Sequence, residues 1–142
     1  MKSYKHVLVA IELIEANDVE LIKRAAFMVK EFKANVALVH AVENIGGYSA
    51  YGMGIDIERD MVDRAVAEMK KFGKHIGIPK DKQLIKIGPA KFVILEEAGK
   101  LKADLIIVGS HGRHGLQMLL GSTANAVLHG AKCDVMAVRL RK

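Results

Sequence analysis

The stretch ADLIIVGSHGRHGLQMLLGSTANAVLHGAKCDVMAVR, residues 103–139, decides the fold. It opens with ADLIIVG, an apolar run of strand length rich in branched side chains, and closes with a second such run inside CDVMAVRL. Between them lie a glycine-rich connection, residues 110–121, and STANAVLHGAK, whose leading hydroxyls suit a helix start. A strand, a helix and a strand in succession read as two parallel strands joined by a crossover.

The same alternation continues upstream. YKHVLVAIE (residues 4–12), NVALVHAV (35–42) and QLIKIG (83–88) have the length and composition of strands. In residues 17–33, Val19, Ile22, Ala26, Val29 and Phe32 recur at helical spacing behind an Asn17 cap, with Glu20 three residues on. From Ile55 to His75, Ile57, Met61, Ala65, Met69 and Phe72 do the same, and PAKFVILEEAGKLK starts with Pro89 near a first helical turn. Residues 43–54, ENIGGYSAYGMG, have no period and read as a long loop carrying Tyr48 and Tyr51. The order β-α-β-α-β-α-β-α-β predicts an α/β protein with an open parallel five-stranded sheet. Right-handed crossovers place helices on both faces, giving a three-layer sandwich. Ligands of such sheets sit beyond the carboxyl ends of the strands, so the residues after strands one, two and four are the ones to inspect.

With 142 residues, 51% of them hydrophobic and only two prolines, the chain fits one domain over residues 1–142 with a sizeable core. Lys plus Arg exceed Asp plus Glu by 22 to 16. The basic residues are dispersed, without a run of five and without interleaved aromatics, so an anionic ligand is expected rather than a nucleic acid. The apolar stretch from Val7 to Ile11 is too short for a signal segment or a membrane span, so no membrane partner and a cytoplasmic location are expected. A lone Cys133 excludes an intrachain disulfide and reads as a small buried hydrophobe.

Gly109-Ser110-His111-Gly112-Arg113-His114-Gly115, followed by Gly121-Ser122-Thr123 at a helix start, combines close backbone approach, hydroxyl donors and unsatisfied amides. That combination suits a phosphate chain, with Arg113 adding charge. The same glycines are equally compatible with a connection that holds no ligand. GxxxxGK[ST] is absent, and no glycine follows strand one in VAIELIEAND. His111, His114 and His129 lack a local cysteine or carboxylate to complete a metal set, so no metal site is assigned. His40 reads as a hydrogen-bonded structural residue and His6 and His75 as surface positions. Asp104, at the amino end of strand four, reads as structural. No carboxylate or glutamine stands out as an activator of water, which favours a binding module over a fast enzyme.

YKHVLVAIE, LVHAVE and above all residues 103–139 resemble the universal stress protein family over essentially the whole length. The resemblance implies an adenine-nucleotide alpha-hydrolase-like sandwich that binds ATP, with any magnesium held mainly by the phosphates. The family pattern G-x2-G-x9-G-[ST] falls on Gly109, Gly112, Gly121 and Ser122, with Arg113 and Thr123 beside them. Ala10 and Glu12 then lie near the nucleoside, and the backbone at Ala41 reads adenine. Two departures stand out: eight residues, not nine, separate Gly112 from Gly121, and Glu12 occupies a position where the family usually has Asp. The resemblance also implies a homodimer through the last strand, Val135 to Leu140, which a proline at Val138 is expected to block. The alternative is an interaction dimer without nucleotide, regulated by phosphorylation at Ser122 or Thr123, with partner proteins that the sequence does not name.

Overall fold

In the computed structural model, which describes residues 3–13, 15–43, 54–110 and 121–139, the strands form one sheet. They are β1 (His6–Ala10), β2 (Asn35–Val42), β3 (Gln83–Ile87), β4 (Leu105–Gly109) and β5 (Asp134–Val138). Helices α1 (Glu15–Phe32), α2 (Gly54–Ile76), α3 (Ala90–Leu101) and α4 (Ser122–Gly130) alternate with them, and a 3-10 turn at Lys80–Lys82 precedes β3. Every pairing is parallel, and the spatial order is β3-β2-β1-β4-β5, the expected architecture.

Side-chain alternation along the strands divides the core in two. Val7 and Val9 of β1, Val36 and Leu38 of β2, and Leu105 and Ile107 of β4 pack against Leu21, Ala25 and Met28 of α1 and Met69 of α2. On the other face, Leu8, Ala37, Val39, Ile106 and Val108 meet Val93, Ile94 and Ala98 of α3 and Ala124 and Val127 of α4. The central strands β1, β2 and β4 are apolar on both faces because helices cover both, which is why they appear in the sequence as continuous branched runs.

The largest departure from the sequence reading concerns α1. It starts at Glu15, so Asn17 lies inside the helix and is not its cap. The buried stripe is Leu21, Ile22, Ala25 and Met28, whereas Val19 is 42% exposed. Apolar residues surround much of this helix, so the face it buries is wider than the expected stripe and still takes in Ile22, with Val29 and Phe32 packed at its border. Cys133 also departs from expectation: it is half-buried, against the second core cluster.

Asp104 is structural, as its position predicted. Its carboxylate accepts the backbone N–H groups of Lys5 at 2.9 Å and His6 at 3.1 Å, while its own N–H donates to the His6 carbonyl at 2.8 Å. These bonds tie together the amino ends of β1 and β4. Burial pushes the Asp104 pKa up, but the hydrogen bonds from Lys5, His6 and its own backbone, with the charge of His6, outweigh that and leave it lowered. A lowered carboxyl pKa adds stability above the unfolded value that disappears as pH falls through the folded one. Asp104→Ala is therefore expected to cost about 1–2 kcal/mol at neutral pH, read by urea unfolding, with the difference shrinking below about pH 4. Equal midpoints at pH 7 would contradict this role.

Candidate functional site

Strand order reverses between β1 and β4. From β1 the chain proceeds outward through β2 to β3, then crosses back to β4 and continues outward to β5. The connections leave the two strand ends toward opposite faces, so the switch point at which such sheets take ligands falls beyond Ala10 and Gly109, the last residues of β1 and β4. All strands being parallel, their carboxyl ends share one rim. The helix after β4 must run back across the sheet, so it starts at that rim too. Ala10, Glu12, Ala41, Gly109, Gly121, Ser122 and Thr123 are thus brought to the same end of the sheet. Gly112 and Arg113 lie outside the described residues, as do His111, His114, Tyr48, Tyr51 and Leu140.

The turn after β1 is tied at successive positions. Ile11 N–H donates to the Val39 carbonyl at 2.9 Å, and the His40 ring nitrogen Nδ1 lies 3.0 Å from the Ile11 carbonyl oxygen. Glu12 N–H donates to Asp18 Oδ1 at 2.9 Å, and Asp18 is fully buried at the start of α1. Leu13 then turns with φ 62°, a left-handed conformation that costs a branched residue about 1–2 kcal/mol and persists where neighbours hold it. Glu12, half-buried, is part of this fixed turn, just beyond the carboxyl end of β1.

The exit of β2 is held from the other side. Ala41 pairs with Lys86 of β3, Gly88 N–H donates to the Val42 carbonyl at 2.9 Å, and the Glu43 carboxylate accepts the Ala90 N–H at 3.2 Å. Glu43 thereby serves the first turn of α3, where Pro89 precedes the helix and offers no side-chain cap. Beyond β4, Ser110 N–H donates to the Val138 carbonyl at 2.9 Å, extending the ladder one residue past Gly109.

Helix α4 begins after Gly121, which contributes no capping side chain, and its first turn contains no acidic residue. Asn125 N–H donates to the Gly121 carbonyl at 2.9 Å, so the amides of Ser122, Thr123 and Ala124 precede the first intrahelical bond. Their partial positive charge, added to the helix dipole and the chain's net charge of +6, favours an anion there. Among the described residues no group of three or more His, Cys, Asp or Glu is placed to hold a metal ion. The free amides at the start of α4 suit an anionic group such as a phosphate.

His40 is the hydrogen-bonded residue its position at the end of a strand predicted. Asp18 and Glu43 escaped the sequence reading. The signal for Asp18 was its place in the α1 pattern, one turn ahead of Leu21 and Ile22 on the buried stripe, where a carboxylate needs a donor. Glu43 carries no comparable signal, since its partner lies 47 residues away. Among the described residues no helix is long and apolar enough to cross a membrane.

The universal stress protein family profile matches residues 3–139. Universal stress protein A homolog 2 of Coxiella burnetii is 49% identical over 144 aligned positions, which cover 99% of each chain. Among solved structures, universal stress protein UspA from Lactobacillus plantarum superposes with a TM-score of 0.78 at 19% identity, covering 99% of this chain and 100% of that one. A universal stress protein in complex with cAMP superposes with a TM-score of 0.66 at 21% identity, covering 99% and 100%.

Proposed function

This chain belongs to the universal stress protein family, and we propose that it is a cytoplasmic single-domain module that binds ATP or a related adenine nucleotide as a homodimer. The observation that carries the reading is the uncapped, acid-free start of α4 at the same rim as Gly109 and the fixed Glu12 turn. The phosphates lie along Gly109, Gly112 and the amides of Gly121, Ser122 and Thr123, with Arg113 adding charge. Ala10 and Glu12 flank the ribose, and the backbone at Ala41 meets the adenine edge. A family member of this fold in complex with cAMP supports the choice of an adenine nucleotide. The proposed role is binding with slow or no hydrolysis, since no carboxylate or glutamine in the sequence stands out as an activator of water beyond the candidates Glu12 and His111.

Base selection is tested by displacing a fluorescent ATP analogue with ATP, ADP, AMP, cAMP and GTP. Adenine nucleotides are expected to compete and GTP to compete about fivefold to thirtyfold less well, since one mismatched base edge costs about 1–2 kcal/mol. Equal competition by GTP would contradict adenine recognition at Ala41.

Dimerisation runs through β5, an edge of the sheet. The structure changes which substitution tests it. Val138 presents its carbonyl to Ser110, and the N–H and carbonyl of one extended residue point the same way, so both face β4. A proline at Val138 would damage the sheet itself. The neighbouring Ala137 is exposed and directs its backbone groups to the open edge. Ala137→Pro is expected to convert the dimer to a folded monomer in sedimentation equilibrium, and a variant that remains dimeric would place the interface elsewhere.

A further inference from the structure

We infer that His40 is a positioning residue for the nucleotide site, acting through the Ile11–Glu12 peptide, an inference that rests on the nucleotide reading above. The Ile11 carbonyl lies beyond the end of β1, where a side chain takes the place of the ladder donor. A carbonyl oxygen only accepts, so at 3.0 Å His40 Nδ1 carries the hydrogen and donates it. On the far side of the same peptide, Glu12 N–H donates to the buried Asp18. The peptide is therefore gripped at its oxygen by β2 and at its nitrogen by α1, and it cannot rotate without breaking both bonds. Leu13 next to it is left-handed, which makes the turn dependent on this grip.

The position of His40 argues for a role beyond filling space. It shares a sheet face with Leu38 and Val36, both buried in the first core cluster, where another branched aliphatic side chain would pack without a polar cost. Instead the half-buried imidazole is spent on the carbonyl that immediately precedes Glu12, the carboxylate assigned to the ribose side of the site. Loss of the bond leaves the sheet pairing of β1 with β2 intact, from His6↔Asn35 to Ala10↔Val39, and releases the turn that aims Glu12.

Three variants separate this from a packing role. Asparagine places an amide nitrogen at the position of Nδ1, glutamine places it one bond further out, and leucine has no donor. His40→Asn is expected to bind ATP within about threefold of wild type, and His40→Gln and His40→Leu about tenfold or more weakly, the scale of one lost positioning bond. Thermal midpoints of all three stay close together. In the ligand-free protein, hydrogen exchange of the Glu12 amide is expected to quicken in His40→Leu and not in His40→Asn. Wild-type binding with an unweakened His40→Leu, or an unchanged Glu12 amide, overturns the inference and leaves the nucleotide reading standing. A wild-type protein that binds no ATP overturns both.

Discussion

Gly112→Val is expected to fold like the wild type and to lose ATP affinity by about 100-fold or more. The family pattern sets Gly112 three residues after Gly109, which the structure places at the end of β4 beside the switch point of the sheet. A phosphate can approach the backbone there only if no side chain intervenes, and valine adds a branched group at Cβ. Forcing such a group into a fitted space costs about 1–3 kcal/mol, and 100-fold is about 2.7 kcal/mol. Urea unfolding is expected to shift by less than about 0.5 kcal/mol, because the sequence puts the residue in the glycine-rich connection between β4 and α4. Gly121→Ala provides an internal comparison. Gly121 has φ −59°, which any residue adopts, so the backbone does not demand glycine and alanine costs less than about 1 kcal/mol of stability. Any larger effect of that methyl group on ATP binding reports on the space at the start of α4. Undiminished binding by Gly112→Val would remove the phosphates from this loop.

Leu8→Ala is expected to destabilise the protein by about 2–5 kcal/mol. Leu8 has no exposed surface and sits in the middle of β1, paired with Ala37 on one side and Ile106 on the other. Its side chain enters the cluster beneath α3 and α4, where Val93, Ile94, Ala124 and Val127 converge. Neighbours drawn from two strands and two helices cannot all move inward, so much of the void would persist. Leu128→Ala, on the same side of the molecule but 49% exposed, is expected to stay within about 0.5 kcal/mol. Similar losses for the two leucines in denaturant unfolding would contradict the packing described here.

The strands were legible because a sheet covered on both faces forces branched apolar residues into short unbroken runs, as in VLVA of β1 and LIIV of β4. The face of α1 was not, because Val19, Ala26 and Val29 offer a second stripe beside the one headed by Asp18. The sheet uses part of it, since Val29 and Phe32 pack against the cluster that holds Leu21, Ile22, Ala25 and Met28, while Val19 stays exposed. Both ends of the candidate site on β4 and α4 were legible through the glycine pattern. The supports of the neighbouring turn were only partly so. His40 announced a polar need at the end of a strand, but its acceptor, Ile11, is 29 residues away and becomes adjacent only through the pairing of β1 with β2. The direction of the backbone groups of Val138 and Ala137 likewise follows from the register with β4, which no composition or period encodes.

The shortened interval between Gly112 and Gly121 bears directly on whether this chain holds a nucleotide or is the nucleotide-free interaction dimer. The elements that flank that interval are held in the sheet and core, β4 through the Gly109↔Val138 pairing and α4 through the packing of Ala124 and Val127. The start of α4 thus has its place at the rim fixed by packing on the sheet. Calorimetric titration of ATP with magnesium into protein stripped of bound nucleotide by unfolding and refolding is the most direct test. Saturable micromolar binding at one site per chain is the predicted result, and no binding up to millimolar ATP would contradict the account.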